Sequence, residues 1–515
     1  MPPSLKHSFH DYEGKVPVQQ GTKKIPSSTL PSSSITIPDD IILEIAKLLS
    51  ARDLLQLSLQ SKHVFLLLQS SLYSYVRVDH ADACRTTLKT FRKRPDLTEW
   101  IKVLDLSLIQ RSGWATYMEK SIDENWAAQA IEDMASEGSL PLLRSFKWRG
   151  LESPNDTLWL ALRLGCPQLR IVGTTVGKRT HIINPDSNLF DFRGLKGFHL
   201  STLVLERWEA FRKHDSFPQR LWDMLLVHSP DLEELTLDAT VMTEDVWLMN
   251  RVLEGRWPKL RRISIGNMFK VQELGDPRCG VLFNSFLNAH PTLEEFDSYG
   301  TIIYNREDMI TVLSLPRIHR FRGKLQQLKA ADACVSTVRE LELTDWFSPA
   351  ANLHDILKHL PQVISLSICL NFLDKQGSQQ SFFDRLFKNC TSELRNLEIS
   401  STSTLNIREL FDAMLQAPNL RLSAFSITHV QGMRISDTDV KSAILLAKRM
   451  RHLQEFVIRD VSSWNHYDQL NSVYSTGMLR RFIVQSNECL QLQESGIGRL
   501  GQKYTKSMMY SLSSG

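Results

Sequence analysis

A chain of 515 residues would fill three to four ordinary domains at ~150 residues each. Apolar residues make up 42% and charged residues 23%, which excludes collagenous, low-complexity and wholly disordered classes. The 61 Lys and Arg against 57 Asp and Glu leave a net charge of +4, far from the strongly basic balance of a nucleic-acid-binding domain, so no nucleic-acid partner is expected.

The seven cysteines are scattered and form no CxxC pair, so neither a zinc site of ordinary spacing nor a disulfide framework is expected. No apolar run approaches 18 residues, and Met1-Pro2-Pro3-Ser4 does not open an apolar leader, so no membrane partner is expected either. A reducing interior follows, cytoplasmic or nuclear or both. The basic run Arg92-Lys93-Arg94 reads as a solvated helix end rather than an address.

Residues 1–34 are rich in Ser and Pro and read as a disordered tail. Residues 35–75 read as a module of two or three short helices. Pro38 suits a first helical position, and Asp39 and Asp40 suit the positive end of a helix dipole. Ile41, Ile45, Leu48 and Leu49 recur at helical spacing, Asp53 is the expected cap of a second helix, and a third runs from Ser61 to Tyr73. So short a unit carries more large apolar groups than its own core can cover, so a partner is expected on them.

Residues 76–100 read as a linker or capping segment. From residue 101 to 485 a motif of three apolar positions, spaced three and then two apart, recurs: Ile101/Leu104/Leu106, Leu143/Phe146/Trp148, Leu195/Phe198/Leu200, Leu232/Leu235/Leu237 and Leu260/Ile263/Ile265. It continues as Val338/Leu341/Leu343, Val363/Leu366/Ile368, Leu394/Leu397/Ile399, Leu422/Phe425/Ile427, Leu453/Phe456/Ile458 and Leu479/Phe482/Val484, with degraded copies from Leu169, Leu293 and Ile318. The mean period is about 29, at the upper end of the leucine-rich range of ~20–29 residues. Nine of the 20 prolines, from Pro95 through Pro277 to Pro361, precede apolar residues at +2 and +5, where chance gives about 3.5. Proline there stops a preceding helix, and Thr157–Leu164, Leu221–Val227, Val246–Leu253 and Leu353–Leu360 have helical spacing. The expected fold is α/β: a short helical module, then a leucine-rich-repeat-like solenoid with parallel strands on a concave face and helices on a convex one. Residues 486–515 read as a C-terminal tail.

Nothing in the sequence points to catalysis. Gly496-Ile497-Gly498-Arg499-Leu500-Gly501 satisfies GxGxxG but has no βαβ unit to follow it. Gly173 to Thr180 is one residue short of a phosphate loop, with Arg179 in the hydroxyl position, and His354 and His359 are five apart on one helix. No metal, cofactor or catalytic residue is expected.

Residues 37–68 resemble the F-box, the short helical motif of ubiquitin-ligase adaptors, in Ile37-Pro38, Ile41-Ile42, Ile45, Leu48-Leu49, Asp53-Leu54, Leu57-Ser58-Leu59 and Ser61-Lys62. Asp40, Gln60 and Val64 depart from the common pattern. Val76-Arg77-Val78, Arg94-Pro95-Asp96-Leu97 and Val103-Leu104-Asp105-Leu106 extend the resemblance to fungal-type F-box proteins with divergent leucine-rich repeats. The resemblance implies that Ile37, Pro38, Ile41, Ile42, Ile45, Leu48, Leu49, Leu54, Leu57 and Leu59 dock on a Skp-type adaptor. Through it the chain would join a cullin–RING (SCF-type) ubiquitin ligase as a non-catalytic adaptor presenting a protein substrate. A non-catalytic repeat scaffold acting without ubiquitin transfer is the alternative.

Side chains alternate along a strand, so residues between the apolar positions line the concave face. For substrate this selects Glu234, Thr236, Asp238, Arg262, Ser264, Glu340, Glu342, Asn396, Glu398 and Arg459. Asp105, Ser107, Lys147, Arg149, Thr344, Ser426, Thr428 and Gln485 are expected on the same exposed face.

Overall fold

The structure is a computed structural model. It describes residues 37–78, 81–108, 123–150, 152–176, 184–202, 218–239, 250–266, 285–298, 315–323, 337–347, 357, 360–370, 379–389, 393–401, 405–417, 420–429, 437–450, 452–460, 479–486, 489–497 and 503–511. The expected tail at 1–34, Gly177–Thr180, Pro277, His354, His359 and Gly498–Gly501 lie outside the described residues. The chain divides into two compact units, Met1–Leu68 and Gln69–Gly515.

The first unit is helical: α1 (Asp39–Leu48), α2 (Ala51–Ser58) and the start of α3 (Lys62–Tyr73). Pro38 is the residue before α1 rather than its first helical position, with extended backbone that hands the chain into the helix. Ser50, not Asp53, caps α2: its hydroxyl accepts from the Asp53 N–H at 3.2 Å and donates to the Asp53 carboxylate at 2.7 Å. The Asp53 carboxylate in turn fixes the orientation of the Ser50 hydroxyl. His63 Nε2 lies 2.8 Å from Asp39 Oδ1, tying the start of α3 to the start of α1.

The second unit is a leucine-rich-repeat-like solenoid, an α/β stack built on a sheet of 17 described strands. The first fourteen strands are β1 (Tyr75–Val78), β2 (Val103–Ser107), β3 (Ser145–Arg149), β4 (Ile171–Val176), β5 (Gly197–Thr202), β6 (Glu234–Ala239), β7 (Arg262–Ile265), β8 (Glu295–Asp297), β9 (Arg320–Gly323), β10 (Glu340–Phe347), β11 (Ser365–Leu370), β12 (Asn396–Ser401), β13 (Ala424–His429) and β14 (Glu455–Asp460). Each of these pairs in parallel with the next in sequence. Register places one apolar row across the sheet: Leu104, Phe146, Val172, Phe198, Leu235, Ile263, Phe296, Phe321, Leu341, Leu366, Leu397, Phe425 and Phe456. All of them are buried. Burying each contributes about 1.5–3 kcal/mol.

The prolines act through turns. In Leu140-Pro141-Leu142-Leu143, Cys166-Pro167-Gln168-Leu169, Trp257-Pro258-Lys259-Leu260, His290-Pro291-Thr292-Leu293, Leu315-Pro316-Arg317-Ile318 and Leu360-Pro361-Gln362-Val363, the last N–H donates to the first carbonyl at 3.0–3.3 Å. Proline's fixed φ suits the second position of such a turn, and its missing N–H is not needed there. The turn delivers the first apolar residue of each motif to the core just ahead of its strand. Pro95 differs: it opens the short helix α5 (Pro95–Thr98) after α4 (Ala81–Lys93), at whose end Arg92 and Lys93 stand exposed.

Helices cover one face. Helix α6 (Glu124–Ser136) packs on α7 (Asp156–Gly165), and helices Gln379–Asn389, Ile407–Gln416 and Asp437–Arg449 pack in sequence. Gly165 fits where any Cβ would stand 2.0 Å from the Ala135 carbonyl oxygen, so the ends of α6 and α7 approach more closely than a side chain allows. The expected helix at Leu221–Val227 is one α-turn, Gln219–Trp222, continued as a π-turn at Asp223–Val227. Of Val246–Leu253 only the end is described, as the 3-10 segment Asn250–Glu254, and of Leu353–Leu360 only residues 357 and 360 are described. Aromatic bulk fills the layer beside these short turns. Buried Trp257 donates from Nε1 to the Leu225 carbonyl at 3.0 Å and meets Phe286 edge-on.

Both ends of the sheet depart from expectation. Residues 75–78, placed at the boundary between module and linker, form β1, paired in register with β2. The last motif copy, Leu479/Phe482/Val484, is β15 (Leu479–Ser486), which runs antiparallel to β14. The expected C-terminal tail instead contains β16 (Cys489–Ile497) and β17 (Lys503–Ser511), also antiparallel, and Gly496 of the GxGxxG match lies within β16. Likewise Gly173 to Val176 of the phosphate-loop-like segment is strand β4.

His290 is fully buried, its Nδ1 2.6 Å from the Phe286 carbonyl and its Nε2 accepting the Trp257 N–H at 3.0 Å. Both contacts require the neutral ring with its proton on Nδ1. Burial pushes its pKa below the ordinary 6.5, against the pull of the Phe286 carbonyl. The unfolded chain therefore takes up a proton first as pH falls, and stability declines below about pH 6.5. The urea midpoint should drop between pH 7 and pH 5.5. His290→Leu should flatten that drop while costing about 1–3 kcal/mol at pH 7 by orphaning the Trp257 N–H.

Candidate binding surfaces

Two surfaces stand out, one on each unit. On the first, α1 presents Ile41, Ile45 and Leu48 along one stripe at helical spacing, with Ile37 just ahead of the helix, and all four are exposed, Leu48 at 88%. Leu55 on α2 and Leu59 at its C-terminal cap form a second exposed pair four residues apart, and Leu66 is exposed on α3. Of the other residues assigned to adaptor docking, Pro38 is exposed and Ile42, Leu49 and Leu57 are half-buried. Leu54 is only 8% exposed and is buried within the chain, so it offers little surface to a partner. Leu55, one position on, carries the exposure instead, because a single step along a helix turns the side chain by about 100°.

On the solenoid, the sheet face away from the helices carries the residues between the apolar positions. Register aligns Glu234, Arg262, Glu295, Arg320 and Glu340 in one row of alternating charge. A second row runs His199, Thr236, Ser264, Asp297, Arg322 and Glu342. Neighbouring strands are ~4.8 Å apart, close enough for side chains to meet across the ladder. Arg262 Nη2 pairs with Glu234 Oε1, and Arg320 lies 3.9 Å from Glu295 and 3.5 Å from Glu340. Arg322 spans Asp297 at 3.4 Å and Glu342 at 2.8 Å, while the Ser264 hydroxyl donates to Asp297 at 3.1 Å. A cavity of about 170 Å³ opens here, lined among others by His199, Glu234, Arg262, Asp297, Arg320 and Arg322.

Burial would raise the Glu234 carboxyl, but the His199 ring at 3.4 Å and the Arg262 charge outweigh it and hold the group at about 2. His199 is pushed down, mainly by burial, with the Lys147 and Arg262 charges adding to the effect and Glu234 opposing it. Its Nδ1 lies 2.9 Å from the Thr236 hydroxyl. Burial also lowers Lys147, against the pull of Glu234 and Asp105. Between Lys147 and His199 the row passes through Gly173, where an added Cβ would sit 3.1 Å from Lys147 Cγ and 3.2 Å from His199 Cβ. Glu342 is raised by burial and by Asp297 and Glu398, against Arg322 and Arg320.

Of the residues selected for substrate, Glu340 and Asn396 are exposed, and Glu234, Thr236, Arg262, Ser264, Glu342 and Glu398 are half-buried. Asp238 and Arg459 lie in β6 and β14, and Gln485 in β15, with side chains outside the described residues. Lys147, Arg149, Thr344 and Ser426 are half-buried. Asp105, Ser107 and Thr428, expected to be exposed, are buried. Asp105 is 5% exposed because Arg149 from the next strand folds over it and pairs with its carboxylate. His199, Glu295, Asp297, Arg320 and Arg322 were not selected from sequence. The signal was present: each flanks an apolar motif position, but four of them sit in the degraded copies around Phe296 and Phe321.

Among the described residues no group of His, Cys, Asp and Glu could hold a metal ion. What the face offers is paired donors and acceptors in fixed register.

No family model matches the chain, and no curated protein matches it. Among solved structures it is similar to a chain in the crystal structure of the Rad7 and Elc1 complex in yeast, at 13% identity and a TM-score of 0.40, over 69% of this chain and 92% of that one.

Glu234 contributes stability above its ordinary 4.5 that is lost as pH falls toward about 2. Glu234→Gln should shrink the loss of urea resistance across that acid window and cost about 1 kcal/mol at pH 7, by replacing the charge-assisted bond to Arg262 with a neutral one. An unchanged acid profile would contradict the coupling.

Proposed function

We propose that this protein is a non-catalytic substrate-recognition adaptor of a ubiquitin ligase. In this reading the first unit docks on a Skp-type adaptor and joins a cullin–RING (SCF-type) ligase in the cytoplasm or nucleus. The open face of the solenoid, with Glu234, Arg262, Glu340, Glu342, Asn396 and Glu398, takes a protein substrate.

The observation that carries the reading is the apolar exposure on α1 and α2. Ile37, Ile41, Ile45, Leu48, Leu55 and Leu59 present large side chains to solvent in a unit whose described helices bury few residues of their own. Apolar surface concentrated on one small module marks a site that another protein covers. The paired charges of the solenoid face support the second half, since a partner there meets a preorganised polar pattern with little ordering cost.

Pull-down with a Skp-type adaptor tests the docking. The wild type should recover it, and Leu48→Asp with Leu59→Asp should lower recovery more than tenfold while leaving the circular dichroism spectrum intact, because both positions are exposed. Leu54→Asp should instead unfold the first unit, since it buries a charge. No recovery by the wild type would sink the reading. Deleting residues 1–68 separates it from a repeat scaffold that acts without ubiquitin transfer, which would keep its cellular activity.

A further inference from the structure

The residue just before each strand occupies one fixed place in the repeat, at the turn edge of the sheet. In four consecutive units that residue is Lys102, Arg144, Arg170 and Lys196, all exposed. Their backbones form a ladder: the Arg144 N–H donates to the Lys102 carbonyl at 2.8 Å, Arg170 to Arg144 at 2.9 Å, and Lys196 to Arg170 at 2.7 Å. Four cations therefore stand in a line at the strand spacing of ~4.8 Å. Further along the same row the sign alternates through Glu233, Arg261 and Glu294, and those charges answer one another. Lys196 pairs with Glu233 at 2.7 Å, and Arg261 grips Glu294 through two bonds of 2.9 and 2.8 Å.

The first three cations have no carboxylate partner among the described residues. Arg144 Nε reaches only the neutral Gln168 Oε1 at 3.4 Å, and Arg170 Nη1 donates to the carbonyls of Pro167 and Leu169 at 3.1 and 2.8 Å. Beside Arg170 a cavity of about 510 Å³ opens, lined among others by Arg163, Leu164, Pro167, Arg170, Asp191 and Arg193. Its one carboxylate, Asp191, is shared by Arg163 at 3.3 Å and by Arg220, and Arg163 Nε is buried without an acceptor. The cavity and the ladder thus meet at Arg170 and form one cationic edge with unmet donors.

We propose that this edge, from Lys102 to Lys196 and into the Arg163–Arg170–Arg193 cavity, binds an acidic peptide segment of a protein partner. Carboxylates suit exposed guanidiniums in geometry and charge, and planar two-point pairing favours Arg at this task. An extended acidic run crossing the strands rises ~3.3 Å per residue, so acids along it reach successive cations of the ladder. The cavity accepts one acidic side chain against the apolar rim of Leu164 and Pro167. A nucleic acid fits less well: the cationic stretch ends at Glu233, and the chain carries only +4. The proposal stands apart from adaptor docking, because it uses no residue of the first unit.

Fluorescence anisotropy on the full chain tests it, with a labelled peptide of alternating Glu and Ser as probe and its Gln and Ser counterpart as reference. The wild type should bind the acidic peptide and not the neutral one, and more weakly as salt is raised. Lys102→Glu, Arg144→Glu and Arg170→Glu together should weaken binding by about tenfold or more. Arg85→Glu, Lys89→Glu and Lys93→Glu on α4 change net charge equally and should leave affinity within about twofold. Arg144→Gln, Arg170→Gln and Arg193→Gln together should weaken binding in the same direction with the circular dichroism spectrum unchanged. Three results would overturn the proposal: no preference of the wild type for the acidic peptide, equal loss in the α4 variant, or displacement of the peptide by a more tightly bound single-stranded oligonucleotide.

Discussion

The apolar row from Leu104 to Phe456 is the constraint on which the solenoid depends. Its members lie far apart in sequence and are neighbours only because every strand pairs in register with the next. A register slip of one residue would turn these side chains to the open face and the charged ones into the core. No single unit has enough apolar surface to hold its own order, so each leans on its neighbours. The proline turns serve this row directly. They set the angle at which the first apolar residue enters, and with it the phase of the strand that follows.

That phase dictates the chemistry of the open face. Because the buried row is fixed, the residues on either side of it are fixed in rows as well, and their charges meet across parallel strands instead of scattering. The result is a surface whose acids and bases satisfy one another, as Arg262 does for Glu234 and Arg322 for both Asp297 and Glu342. Partial burial makes these pairs matter: Glu234 is held at about 2 only because His199 and Arg262 overcome its desolvation. The near-neutral composition of the chain is the outward sign of this mutual answering.

The parts legible from sequence are those where the period and the physics coincide. Clean copies such as Leu235/Leu237 and Leu397/Ile399 became strands where the motif put them, with both apolar positions buried. The copies that looked degraded carry Thr174, Ser298 and Gly323 at the third position, small or polar groups that remain buried because the backbone geometry still demands an inward residue there. The motif definition saw a missing hydrophobe where the fold needed only a residue that fits. Single events were the hardest to read. Strand β1 is four residues long, and Leu54 and Leu55 cannot be told apart without the direction in which their helix packs. The strands after Leu479 alternate apolar and polar residues too modestly to separate from a tail, and their antiparallel pairing breaks the rule that every earlier unit obeys.

A repeat that constrains its buried positions leaves function only the positions it does not constrain, and it multiplies whatever is placed there. One exposed Arg at the turn edge would be a solvated surface charge with little consequence. The same residue type at the same place in successive units becomes a line of charges at strand spacing, because the backbone bonds from Lys102 through Arg144 and Arg170 to Lys196 hold their origins in register. Substitution at one free position thus changes a row and not a point. That is how a fold of nearly uniform units comes to carry distinct surfaces, an alternating charge row across β6 to β10 and a single-signed one at the edge of β2 to β5. Where acids and bases alternate along a row they neutralise one another, and where one sign persists, from Lys102 to Arg170, the charge is left for a partner to answer.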